Sequence, residues 1–425
     1  MLLPIFAVVV VDTASAGLIL PLLPFYAQEF GATPLMIGLL IASFAICELF
    51  AGPILGKASD RYGRKRLLLI SQIGTCASFL ILASAHSLPI VFAGRIVDGL
   101  SAGNVAIAIA YVSDRSEPGK RRQAIGVVSA AMGLGTMIGP ALGGMLAPIG
   151  PAVPFWLAAA VSCASIVLTC ALLPVDVRTS SGARVWSRVF GTGQPSAAQS
   201  HFDEQADVVG AAITPLPSKR FFREISDLVK LPNVKALLTA IALLYMAFSL
   251  FSSQLALVLQ ARYHWGGESF GPTEIGLLFT AAGATNILIQ IVVMRAIGST
   301  FHERTVAVAS FALLASGFVL IGFGNTIPGL AVGVLAIASG VGLARPTLVA
   351  ALSLAVPPTS QGVAMGMAQS LASLINIIAP IAGGLLIQQQ NFIGWAVALT
   401  AIALTGLGAV GLLSMFPKKS ASERV

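Results

Sequence analysis

Twelve apolar stretches, each about as long as a helix needs to cross a bilayer, divide this chain and leave little room for anything else. They fall at about residues 3–26, 34–55, 67–86, 89–113, 123–147, 153–174, 234–260, 273–297, 305–324, 327–351, 361–387 and 392–416. Hydrocarbon offers the backbone no hydrogen-bonding partner, so spanning segments must be helices or the strands of a closed barrel. The alternating strands of about ten residues that a barrel needs are absent. Composition agrees: 56% of residues are hydrophobic and only 10% charged, where a soluble domain carries roughly 25% charge. An all-α integral membrane protein is expected.

Several function classes drop out at once. The formal net charge is +8, but the basic residues sit in connecting segments and not on an aromatic-studded face, so membrane orientation explains them better than nucleic acid. Cys47, Cys76, Cys163 and Cys170 all fall inside apolar stretches, which argues against a disulfide framework or a zinc site and leaves them as packing residues. His86, His201, His264 and His302 lie in loops or at span edges. No His-Glu-X-X-His and no phosphate-cradling glycine loop ending in Lys-Ser/Thr is present. We expect no metal, no cofactor, no ATP hydrolysis and no enzyme. The first apolar stretch lacks a basic leader and a convincing cleavage site, and reads as a retained span.

Between the sixth and seventh stretches lies a polar segment rich in Ser, Gly, Arg and Asp. It divides the chain into an N-terminal bundle at 1–174, a cytoplasmic linker at 175–233 carrying an amphipathic helix near Phe221 to Lys230, and a C-terminal bundle with a short tail at 234–425. With both termini cytoplasmic, the inner loops hold Lys57, Arg61, Arg64, Lys65, Arg66, Arg115, Lys120, Arg121, Arg122, the linker bases, Arg304, Lys418 and Lys419, while the outer loops hold only Arg262. Trp156, Trp265 and Trp395 fall at outer edges, as an interfacial belt requires.

The two halves repeat. Gly126, Pro140, Gly143 and Gly144 in the fifth stretch recur at one constant offset as Gly366, Pro380, Gly383 and Gly384 in the eleventh. Ile37-Gly38-Leu39-Leu40 opening the second is matched by Ile275-Gly276-Leu277-Leu278 opening the eighth. A parallel duplication of this kind places a binding site between two six-helix bundles at mid-membrane.

The turn Gly56-Lys57-Ala58-Ser59-Asp60-Arg61-Tyr62-Gly63-Arg64-Lys65-Arg66 packs five bases and one acid between two spans. Glycines at 56 and 63 permit close backbone approach and a tight turn, and Asp60 can face the positive end of a neighbouring helix. Up to Lys65 this turn is similar, almost position for position, to the signature between spans two and three of the major facilitator superfamily, and the resemblance extends over the whole chain. It implies that Gly56, Asp60, Arg61, Gly63, Arg64 and Lys65 form a latch closing the cytoplasmic side; a merely topogenic loop would need the charge but not that spacing. In the second half Gly298 stands in the place of Asp60 and only Glu303-Arg304 resembles the turn, so the latch is expected to be asymmetric.

Gly126, Gly135, Gly139, Pro140, Gly143 and Gly144 in span five resemble the superfamily's antiporter motif, with generic small-residue packing as the alternative. The second-half copy has Ala379 in place of Gly139. Arg95, Gly99 and Gly103 in span four resemble an element associated with proton transfer, and Asp98 follows Arg95 on the same helix face. The run from Asp12 to Pro24 is similar to the first span of tetracycline-type efflux proteins.

A charge near the middle of a span costs about 2.5 to 3.5 kcal/mol on insertion scales, so each needs a reason. Asp12, Glu48, Arg95 and Asp98 are candidates for proton coupling; Asp12 can instead accept hydrogen bonds structurally, and Glu48 can support the latch. Arg345 can snorkel, gate or anchor an anionic group. Gln254, Asn286, Gln290, Gln369 and Asn376 are candidate cavity residues, or packing glue.

The resemblance implies a proton-coupled antiporter exporting a small amphipathic compound, similar to twelve-span drug:proton antiporters. It acts as a monomer in a bilayer, probed by a small-molecule substrate and protons, with a bacterial inner membrane as the expected location and no nucleic-acid partner. An importer or facilitator of a sugar or organic acid is the alternative on the same fold, and an intramembrane enzyme or sensor a more distant one.

Overall fold

The structure, a computed structural model, describes residues 2–116, 121–174, 226–231, 233–293, 303–357 and 360–411. Most of the linker, Gly298 and the C-terminal tail lie outside the described residues. Of the amphipathic helix expected near 221–230, residues 226–230 are helical, and Leu228 is buried in the main core.

The N-terminal half comprises α1 (Leu2–Ile19), α2 (Leu23–Glu29), α3 (Pro34–Tyr62), α4 (Arg64–Ala83), α5 (Leu88–Leu100), α6 (Asn104–Arg115), α7 (Arg121–Leu146) and α8 (Val153–Leu172). The C-terminal half comprises α9 (Val234–Arg262), α10 (Pro272–Leu288), α11 (Glu303–Phe323), α12 (Ile327–Leu354), α13 (Gln361–Gln388) and α14 (Phe392–Gly411). Ten spans are each long and apolar enough to cross a membrane, with α5 and α6 together counted as one. The pair α1 and α2, bent by 43° at Leu20–Leu22, makes an eleventh. Helix α10, continued by a π-turn at Ile289–Val293, occupies the place of the twelfth.

Local chemistry sets the helix ends. Thr33 caps α3 by accepting from the Met36 N–H at 3.3 Å, with Pro34 in the first turn where its missing donor costs nothing. Thr326 caps α12 in the same way through Gly329. The turn from α3 to α4 is a single residue, Gly63, at φ +98°, a backbone conformation other residues rarely adopt, so the glycine requirement there is real. Gly56 differs: it lies within α3, and a side chain there would meet only open space. Between α9 and α10 a two-stranded hairpin, β1 (His264–Trp265) and β2 (Glu268–Ser269), turns on Gly266 and Gly267, both at positive φ as a tight hairpin turn demands.

Within the N-terminal bundle α1 packs on α7 and α8, α4 on α5 and α8, and α3 on α5; in the C-terminal bundle α11 packs on α12 and α14, and α9 on α13 and α14. The principal joints between bundles are α7 with α10 and α3 with α13. These joints are made by the sequence repeats. A methyl group on Gly144 would come within 2.9 Å of the Gly276 Cα. One on Gly384 would come within 2.6 Å of the Pro34 carbonyl, and one on Gly38 would collide with the Pro380 carbonyl. All these positions lie near the end away from the basic turn. Toward the basic end, Gly52, Gly56, Gly126 and Gly366 have nothing near the space a side chain would fill. The apolar core repeats the asymmetry: one cluster joins Leu18, Tyr26, Ile37 and Leu40 to Leu250, Phe251 and Ile275 across the halves, while a second, around Leu67, Leu68, Ile107 and Tyr111, draws on the N-terminal half alone. Among the described residues the two bundles are therefore clasped at the end opposite the basic loops and parted at the basic end.

Trp395 departs from the interfacial belt. It is 1% exposed, stacked on Phe251 and donating its indole N–H to the Leu250 carbonyl at 3.3 Å, because its helix face turns inward. Trp156 and Trp265 are exposed at that end as expected.

Candidate functional site

One break in regular structure and two sets of close glycine contacts bring the buried charges together. Helix α5 stops at Leu100, and the Gly103 N–H bonds the Ser101 carbonyl at 2.8 Å instead of continuing the helical ladder, so α6 restarts at Asn104. The break has partners: Ser71 donates to the Ser101 carbonyl at 2.8 Å. Gly99 lets this region press on α3, since a methyl group there would lie 2.5 Å from the Phe44 carbonyl. In α7, Gly135, Gly139 and Gly143 share one face, and side chains there would strike Thr13, Ala14, Gly17 and Leu18 of α1. Span five is thus the slab between α1 and α10, with Gly144 turned to the other bundle.

The Arg95 Nη1 donates to Asp98 Oδ2 at 2.7 Å, one helical turn apart, and the guanidinium lies 4.4 Å above the Phe44 ring. These side chains are 6% and 8% exposed, so the charges are held by each other and by the ring more than by water. Arg95 Nε remains buried without a partner. Asp12, 8% exposed, accepts from Asn104 Nδ2 at 2.9 Å and feels the charge of Asp98. Glu48, exposed on α3, stands within electrostatic reach of both Arg95 and Asp98. Asp98 and Glu48 therefore share one guanidinium, and Asp12 stands beside Asp98 on the other side.

At the basic end Arg64 is a hub. It pairs with Asp60, one turn back on α3, donates to Asp114 Oδ2 at 3.0 Å at the end of α6, and donates to Ser59 Oγ at 2.5 Å. Lys65 donates to the Cys170 carbonyl at 2.9 Å and to the Leu173 carbonyl, tying the turn to the end of α8. Arg61 lies over Tyr62 at the surface. All these links stay within the N-terminal bundle.

The C-terminal candidates separate. Gln254 is fully buried and donates to the Pro380 carbonyl at 3.2 Å, so it cements α9 to α13 and lines no cavity. Gln290 donates to Asn286 at 2.5 Å on the same helix. Gln369 is exposed and Asn376 half-buried on α13. Arg345 is exposed on α12, with its guanidinium 5.5 Å from the centre of the Tyr245 ring. Sequence reasoning missed Asn104, Phe44 and Tyr245; a polar amide in the middle of an apolar span was the available signal for the first.

Two bundles of membrane-crossing helices, clasped at one end and enclosing a buried charged cluster, define an integral multi-pass membrane transporter. The sequence profile described as the Major Facilitator Superfamily matches residues 5–271 and 267–425, and the chain belongs to that superfamily. It is 28% identical over 383 residues to the Escherichia coli tetracycline resistance protein, class C, covering 89% of this chain and 88% of that one. With multidrug resistance protein 2 of Bacillus subtilis (strain 168) the identity is 27% over 375 residues, covering 87% and 84%. Among solved structures, the human organic anion transporter MFSD10 superposes with a TM-score of 0.65 at 21% identity, covering 96% and 98%, a likeness of fold.

Proposed function

We propose that the chain is a proton-coupled antiporter that exports a small amphipathic compound by alternating access. The observation that carries this reading is the buried run of charge in one bundle, Asp12 beside Asp98 and Asp98 paired with Arg95 within reach of Glu48, next to the slab that joins it to the other bundle. The asymmetry of Lys and Arg supports a cytoplasmic basic end, with both termini inside and the 175–233 linker on the same face. The resistance proteins among the relatives support a bacterial inner membrane and a drug-like cargo. On this reading the clasped end faces outward and the parted end admits cargo from the cytoplasm.

Cargo enters between the bundles, the basic end closes, the outer clasp parts and the cargo leaves. A proton arriving from outside at the acid cluster favours the return. In the open state Asp60 is occupied by Arg64. On closing, it turns to the first turn of α13 at Gln361, where unpaired backbone N–H groups favour a carboxylate. The driving force suffices: one proton moved through 100 mV yields about 2.3 kcal/mol, roughly a fiftyfold gradient of a neutral solute. Purified protein in lipid vesicles is expected to accumulate tetracycline against its gradient when an opposing pH gradient is imposed. Asp12→Asn is expected to abolish that accumulation while leaving membrane insertion intact. Accumulation of equal extent in Asp12→Asn, or none imposed by any pH gradient in the wild type, removes this reading.

A further inference from the structure

The amide beside Asp12 has a free half. Asn104 Nδ2 donates to Asp12 Oδ1 at 2.9 Å and reaches toward Thr75 Oγ1 at 3.5 Å, yet its own Oδ1 is buried with no partner. A buried amide oxygen left unmatched forfeits the hydrogen bond it would make in water. Asn104 is the first residue of α6, set in place by the interruption at Ser101–Gly103, whose freed carbonyl is answered by Ser71.

The chemistry of the two side chains explains the vacancy. A carboxylate is acceptor only, so it takes one N–H from an amide and has nothing to offer the amide oxygen. A carboxylic acid has both faces: its carbonyl accepts the amide N–H while its hydroxyl donates to the amide oxygen, closing a two-point pair. We propose that Asn104 is the positioning residue for the transported proton, its free Oδ1 being the acceptor that the hydroxyl of protonated Asp12 bonds. The step balances simply: an O–H bond forms at Asp12 Oδ2 with a proton from the aqueous side, and breaks when the proton is returned to water. This rests on the reading of Asp12 as a proton carrier.

The surroundings leave the role to Asn104. Asp98 and, through it, Arg95 face Asp12 from α5, and Glu48 faces that pair from α3. Helix α8 carries no acidic or basic side chain, and α7 carries only Arg121 and Arg122 in its first turn. Asp114 and Arg115 of α6 stand at its far end. Thr75 is the nearest neutral competitor, from α4.

Infrared difference spectroscopy of the full protein in lipid vesicles, acid minus alkaline, tests this without any cargo. Wild type is expected to show a protonated-carboxyl C=O band that disappears in Asp12→Asn. In Asn104→Leu, of similar size but without hydrogen-bonding groups, that band is expected to persist and move to higher wavenumber, as a carboxyl stripped of its partners does. Asn104→Thr, which adds no carboxyl and leaves a single hydroxyl in place of the paired amide groups, is expected to move it the same way by less, and keeps the test alive where the leucine variant is poorly folded. A band unmoved in both variants overturns the role of Asn104 while leaving Asp12 as the carrier. The lack of any Asp12-dependent band overturns both.

Discussion

Asp60 and Asp12 are both single acids, and their surroundings give them different duties. Asp60 is an exposed partner of Arg64 at the membrane surface, and Asp12 is enclosed among helices. An exposed pair of this kind contributes about 1 kcal/mol or less to stability. Asp60→Asn is therefore expected to leave expression and thermal unfolding unchanged while lowering transport at least severalfold, because the closed basic end loses its anchor. Drug efflux at the wild-type rate in cells lacking other exporters would count against the latch. At this scale the sequence was most legible where a residue is expensive. Asp12, Arg95 and Asp98 declare themselves by the cost of charge in hydrocarbon, and two of them do meet. Asn104 was overlooked because an amide costs less than a charge and is common as interhelical glue. Gln254 and Trp395 were misplaced for another reason: position along a span says how deep a side chain lies, not which way it faces.

Among elements, the glycine face of α7 divides into two kinds of position. Gly139 is closed in, with a methyl group expected to reach 2.6 Å from the Ala14 carbonyl, backbone that cannot swing aside. Gly139→Val is expected to destabilise the protein by about 1 to 3 kcal/mol, seen as a lowered unfolding temperature in lipid or detergent. Gly56 is open in this state, so Gly56→Val is expected to leave that temperature unchanged and still slow transport, since closing the basic end fills the space. Equal effects of the two substitutions on stability would show that the parted basic end is not the ground state. Span number and order could be read from apolar length alone, but the bend between α1 and α2, the interruption between α5 and α6 and the π-turn after α10 could not. The interruption between α5 and α6 depends on Ser71 to answer the freed Ser101 carbonyl, a partner remote in sequence.

For the whole molecule, the internal repeats proved to be the joints. Gly144 meets Gly276 and Gly384 meets Pro34–Leu35, so the span-five motif of the first half closes on span eight, and its span-eleven copy closes on span two. A reducible thiol cross-linker between Thr273→Cys and Met145→Cys, beside the Thr273 to Gly144 contact and in a background without the four native cysteines, is expected to bridge the two bundles readily and stop transport, with reductant restoring it. Failure to cross-link, judged by gel mobility after protease cleavage in the linker, would rule out the clasped state as a populated one. The clasp is made of glycine, proline and backbone carbonyls, with Thr273 donating to the Gly144 carbonyl at 3.0 Å. No ion pair crosses it among the described residues. Coulombic attraction weakens with ionic strength, whereas contacts of this kind do not. The outward door should accordingly hold equally well in fresh water and in brine, and cross-linking yield across a salt series is the gauge. Only the inward door, hinged on arginine and aspartate, is left to feel the ionic weather of the cell.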